Sequence, residues 1–118
     1  MKAKLNARNH AVAVLAVAIA LVAGMAVAGE PKTPLGKWMK PNMGAPLAGQ
    51  DFDKLKSSFD VVTGKPPPGD YPQWASMSAA GSKAAAAKDV AGIKASCKQC
   101  HDAYKTKYQN EFPTRSFP

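Results

Sequence analysis

The chain has 118 residues, with 16 Lys and Arg against 8 Asp and Glu, a formal charge of +8 at neutral pH. Residues 11–28 contain no charge and only Ala, Val, Leu, Ile, Gly and Met. Without residues 1–28, the remaining 90 carry 13 basic and 8 acidic side chains, a net +5, and are too few for several domains or for an enzyme with its own substrate domain. Arg115 is their only guanidinium, which argues against nucleic acid as a partner, because bidentate base reading relies on that group.

Lys2, Lys4 and Arg8 precede the apolar run, and Ala26-Val27-Ala28 closes it. A charged start, an apolar middle and a small-residue site predict a secretory signal peptide over 1–28 and a periplasmic mature chain. The other reading is an uncleaved inner-membrane anchor, since 18 apolar residues stand near the lower limit for a spanning helix. The Ala-rich, Leu-poor composition weakens insertion, so the expectation is cleavage, with no stable membrane anchor.

Residues 29–34 read as a Pro-containing linker. Thr33 is a usable N-cap with Pro34 at the first helical position, and Leu35, Trp38, Met39, Met43 and Leu47 follow at helical spacing. Pro41 and Pro46 each remove a backbone donor, so one bent helix or two short ones are expected here. A second helix runs from Asp51 to Gly64, with Phe52, Leu55, Phe59 and Val62 on one face. Pro66-Pro67-Pro68-Gly69 makes a stiff connection. A third helix starts near Pro72, carries Trp74 and Met77, and continues into an Ala-rich run whose small side chains permit close approach. Asp89 caps a fourth, in which Val90, Ile93, Cys97, His101, Tyr104 and Tyr108 recur every three or four residues. No segment alternates with period two, so the predicted fold is all-α.

The chemistry lies in Cys97-Lys98-Gln99-Cys100-His101, the C-x-x-C-H spacing of covalent haem attachment. Two thiols three residues apart lie on adjacent turns of one helical face, where both can reach the haem vinyl groups. The next residue, His101, projects from the same side to ligate the iron. A zinc site would need further Cys or His ligands, and residues 29–118 hold none. A thioredoxin-like pair would need strands, and a disulfide across C-x-x-C closes too short a loop to stabilise much. The expected cofactor is therefore one haem c per chain, bonded to Cys97 and Cys100, with His101 as an axial ligand.

Ala95-Ser96-Cys97-Lys98-Gln99-Cys100-His101-Asp102-Ala103-Tyr104-Lys105, close to the C-terminus, resembles the haem helix of the class II c-type cytochromes, the group of cytochrome c prime and its low-spin relatives. Trp38-Met39-Lys40 with Met43-Gly44-Ala45 resembles that family's first helix, and Trp74 before an Ala-rich stretch resembles the entry to its third. The resemblance implies a short antiparallel four-helix bundle over 35–112 with haem on the last helix, followed by a tail over 113–118. It also implies an iron face opposite His101 covered by the first helix. Lys105 stands where the family usually has Arg, and could contact a haem propionate as a point charge.

The sixth iron position separates two functions. Residues 29–118 hold no second His, and their soft donors are Met39, Met43 and Met77. Met39 aligns best with the family's ligand and Met43 is the alternative. A Met ligand suits a one-electron carrier with no substrate chemistry of its own, a protein that is not an enzyme. An open position lined by Leu35, Trp38, Phe52 and Phe59 would suit a five-coordinate protein binding nitric oxide or another gas. Lys94, Lys98, Lys105 and Lys107, on or beside the haem helix, would steer a redox partner with an acidic docking surface. A homodimer burying Trp38 or Phe52 stays open.

Overall fold

The computed structural model describes residues 30–118, so the expected signal peptide and its cleavage site lie outside the described residues. Helix α1 spans Pro34–Met39, a π-helical turn covers Lys40–Gly44, and α2 spans Ala45–Ala48; α3 is Phe52–Thr63, α4 Trp74–Ala86 and α5 Val90–Glu111. Among the described residues there are no strands, and the fold is all-helical. The backbone stays helical at Met39, Lys40, Gly44 and Ala45, so α1, the π turn and α2 form one rod and the described residues make four helical segments.

Local chemistry sets the boundaries. The Thr33 hydroxyl accepts from the Gly36 N–H at 3.0 Å, Asp51 from Lys54 at 3.1 Å, and Asp89 from Gly92 at 3.0 Å, each satisfying a donor left free at a helix start. Within the rod, a π turn stands where Pro41 and Pro46 were expected to disturb the helix, and the rod ends two residues after Pro46. Pro46 has no N–H to offer the Asn42 carbonyl four residues back, and the Ser58 hydroxyl of α3 donates to that carbonyl at 2.7 Å instead. The rod and α4 end with Gln50 at φ 54° and Lys88 at φ 55°, left-handed positions that glycine more often fills.

Residues 31–118 close into one unit with two core clusters. Leu35, Val62, Tyr71, Trp74, Tyr104 and Tyr108 form the aromatic one, and Leu55, Phe59, Ala85 and Ile93 the aliphatic one. The face of α4 between them is small: Ser78, Gly81, Ser82 and Ala85 are all buried. A Cβ on Gly81 would lie 2.6 Å from Cδ1 and Cζ of Phe59, so the absent side chain is what lets α3 and α4 approach this closely. Successive segments pack in order, rod on α3, α3 on α4, α4 on α5. The rod and α5 do not meet: no Cα of residues 34–48 lies within 8 Å of one in α5.

Candidate functional site

Between the rod and α5 lies a cavity of about 290 Å³. Gly36, Met39, Met43, Gly44 and Leu47 line it from the rod, and Cys97, Cys100 and His101 from α5. Phe59 and Val62 of α3, with Ser78 and Ser96, make its floor. The hydroxyls there are already engaged: Ser78 donates to the Trp74 carbonyl at 2.7 Å, and Ser96 to the Met77 carbonyl at 2.6 Å. The interior is therefore apolar and sulfur-rich, with polar groups only where His101 and the exposed Lys40 stand.

The cavity divides the core. Cys97 packs against the aliphatic cluster, Cys100 against the aromatic one, and Met43 touches both. A flat apolar group here would join two half-cores, and two places show room for it. A Cβ on Gly44 would find nothing nearer than the Met39 carbonyl oxygen at 4.0 Å, and the rod and α5 leave their gap along this stretch. The donor set fits a covalently held haem: two thiols on adjacent turns, an imidazole beside them, and thioethers facing all three across the cavity. Among the described residues no three His, Cys, Asp or Glu side chains gather as a metal-ion site would require, so the thiols have no carboxylate or second imidazole to complete a zinc set.

Burial pushes both thiols above their ordinary pKa, and the neighbouring Cys97 adds to the effect at Cys100. They stay protonated at neutral pH. The His101 residue is exposed as a whole, yet desolvation of its ring holds its pKa below the ordinary value, with the charge of Lys105 acting the same way and Asp102 opposing. Neutral imidazole is the ligating form.

All five principal residues singled out from sequence, Cys97, Cys100, His101, Met39 and Met43, thus line one cavity. Met77 does not; its side chain packs with the aromatic cluster. Lys105 is not among the lining residues. Of the apolar residues expected to cover the open iron face, Phe59 lines the cavity, whereas Leu35 and Trp38 belong to the aromatic cluster and Phe52 to the aliphatic one. This corrects that expectation for Leu35, Trp38 and Phe52, which do not line the cavity: helical spacing gives a face but not which of its members border a cavity. Sequence reading did not assign Gly36, Gly44, Ser78 or Ser96 to the site; the two glycines signal themselves only as small residues on the same rod, Gly36 one turn before Met39 and Gly44 directly after Met43. Of the lysines near α5, Lys98 pairs with Asp102 at 2.5 Å and Lys107 with Glu111 at 2.6 Å, while Lys94 and Lys105 form no ion pair among the described residues.

Comparison with protein-family models, with curated proteins and with solved structures finds no match for the chain. No helix among the described residues is long and apolar enough to cross a membrane.

Proposed function

We propose that the chain is an exported monohaem c-type cytochrome, similar to the class II group, that works as a one-electron carrier. The observation that carries the reading is the convergence of Cys97, Cys100 and His101 on one face of an apolar cavity whose other face presents Met39 and Met43. When bound, haem supplies an iron centre that gains and loses one electron. Cys97 and Cys100 would anchor it to α5, and His101 would supply a neutral ring nitrogen to the iron. Met39 of the rod would supply a thioether sulfur, with Met43 the alternative one turn on. Phe59, Val62 and Leu47 would pack apolar side chains against it. Lys40, Lys94 and Lys105 carry charge that no acidic side chain among the described residues offsets by an ion pair, and they favour a brief encounter with an acidic redox partner.

The test is an optical spectrum of the purified holoprotein, oxidised and reduced, with and without carbon monoxide. A carrier is low-spin, shows a thioether-to-iron band in the near infrared, and resists carbon monoxide. A high-spin spectrum with ready carbon monoxide binding would replace the carrier by the five-coordinate gas binder.

A further inference from the structure

The rod that bears Met39 and Met43 packs on α3, but on the α5 side its backbone stands off from the helix that bears the haem-attachment residues. One segment spans that gap. After α5 ends, the Phe112 N–H donates to the Tyr108 carbonyl at 2.8 Å and the chain turns away from the helix axis. Arg115 donates from Nη2 to the Pro66 carbonyl at 3.4 Å, its guanidinium 5.7 Å from the centre of the Phe112 ring, which fixes the middle of the tail on the α3–α4 connection. The tail then reaches the rod, where the Phe117 ring meets Trp38 edge to face, centroids 4.8 Å apart at 66°. Trp38 directly precedes Met39, and its carbonyl accepts from the Asn42 side chain at 2.8 Å, bracing the turn on which Met39 sits.

We propose that residues 112–118 are a strap that holds the Met39 turn of the rod against the cavity, with Phe117 as a positioning residue for the sixth iron ligand. The proposal rests on the Met39 ligation put forward above. A thioether is a weak ligand, so the fraction of time it occupies the iron depends on how often the turn that carries it opens. α3 packs on the Lys40–Ala48 part of the rod, while from the Pro34–Met39 part Leu35 is buried in the aromatic cluster. The Phe117–Trp38 pair adds a contact at the residue next to the ligand, and ties it through the tail to the helix that carries the attachment residues. Local opening of the rod therefore requires the pair to part first.

The experiment is stopped-flow binding of carbon monoxide to the reduced holoprotein, where the rate follows departure of the internal ligand, read beside the near-infrared thioether band. Phe117→Ala should raise the rate about two- to tenfold, the factor that an aromatic pair's geometric preference corresponds to, and weaken the band. Phe117→Leu, which keeps apolar bulk, should lie between. Ile93→Val thins the aliphatic cluster away from Trp38; it should lower thermal stability and leave the rate at the wild-type value. Equal rates in Phe117→Ala and wild type would overturn the strap, as would an equal increase in Ile93→Val, which would make the effect one of general stability. A wild-type protein that is already high-spin and lacks the band would instead show that Met39 ligation itself is wrong, and the strap would fall with it.

Discussion

Gly81→Ala is a one-carbon change whose sign is set by the close approach of α3 and α4. Alanine in a helix interior is favoured over glycine by about 1 kcal/mol, so without steric conflict the variant would be more stable. Here the new Cβ would lie 2.6 Å from two carbons of the Phe59 ring, against about 3.4 Å for ordinary contact, so the ring or the helix must retreat by about 1 Å. Overpacking of this kind costs about 1–3 kcal/mol, which leaves a net loss of about 0–2 kcal/mol. Phe59 also lines the cavity, so the easiest retreat is into the site. The assay is a urea double-mutant cycle followed by helical circular dichroism, with Phe59→Leu as the second change. In the Phe59→Leu background the alanine should recover its helical gain, giving a coupling of about 1–3 kcal/mol. Additive effects, with Gly81→Ala stabilising in both backgrounds, would refute the close approach and the position assigned to Phe59.

Two further predictions probe the frame of the site. Ser58→Ala removes the hydroxyl that donates to the Asn42 carbonyl, which Pro46 cannot serve, and loss of this bond should cost about 1–3 kcal/mol in chemical denaturation. The Tyr71 phenol, buried and donating to Glu111 at 3.0 Å, has its pKa pushed up to about 12 from 10.0. Below pH 10 both folded and unfolded chains keep this proton; between pH 10 and about 12 the unfolded chain loses it while the folded one does not, so this contribution to stability disappears as pH rises through that window. Spectrophotometric titration should lose a late-ionising component on going from the wild type to Tyr71→Phe; an unchanged late part of the curve would contradict the assignment.

What could be read from the sequence was local. Thr33 and Asp89 announce helix starts because a side-chain oxygen two or three residues ahead of free N–H groups is a short-range feature, and both cap as expected; Asp51, read only as the start of its helix, caps as well. The spacing of Cys97, Cys100 and His101 was legible for the same reason, being a property of one helix. The missing parts depend on partners distant in sequence. Ser58, Ser78, Ser82 and Ser96 look like surface residues in the sequence, yet are buried because each donates to a carbonyl or, for Ser82, to Asp60 at 2.5 Å. The tail at 113–118 offers no periodicity, and its contact with the rod is seen only in the edge-to-face meeting of Phe117 with Trp38. Pro41 and Pro46 foretold a disturbed helix but not its form, since a π turn and a kink both accommodate a missing N–H. The left-handed helix ends fell on Gln50 and Lys88, where no glycine marked them.

The claim on which the account turns is covalent attachment of haem at Cys97 and Cys100. The most direct test is the intact mass of the protein produced in a host with c-type cytochrome maturation, wild type beside the Cys97→Ala, Cys100→Ala double variant. The account predicts a wild-type chain heavier by the mass of one haem under denaturing conditions, and a double variant at the mass of the bare polypeptide. A wild type at bare mass in that host, or a double variant that still carries the added mass, would contradict it.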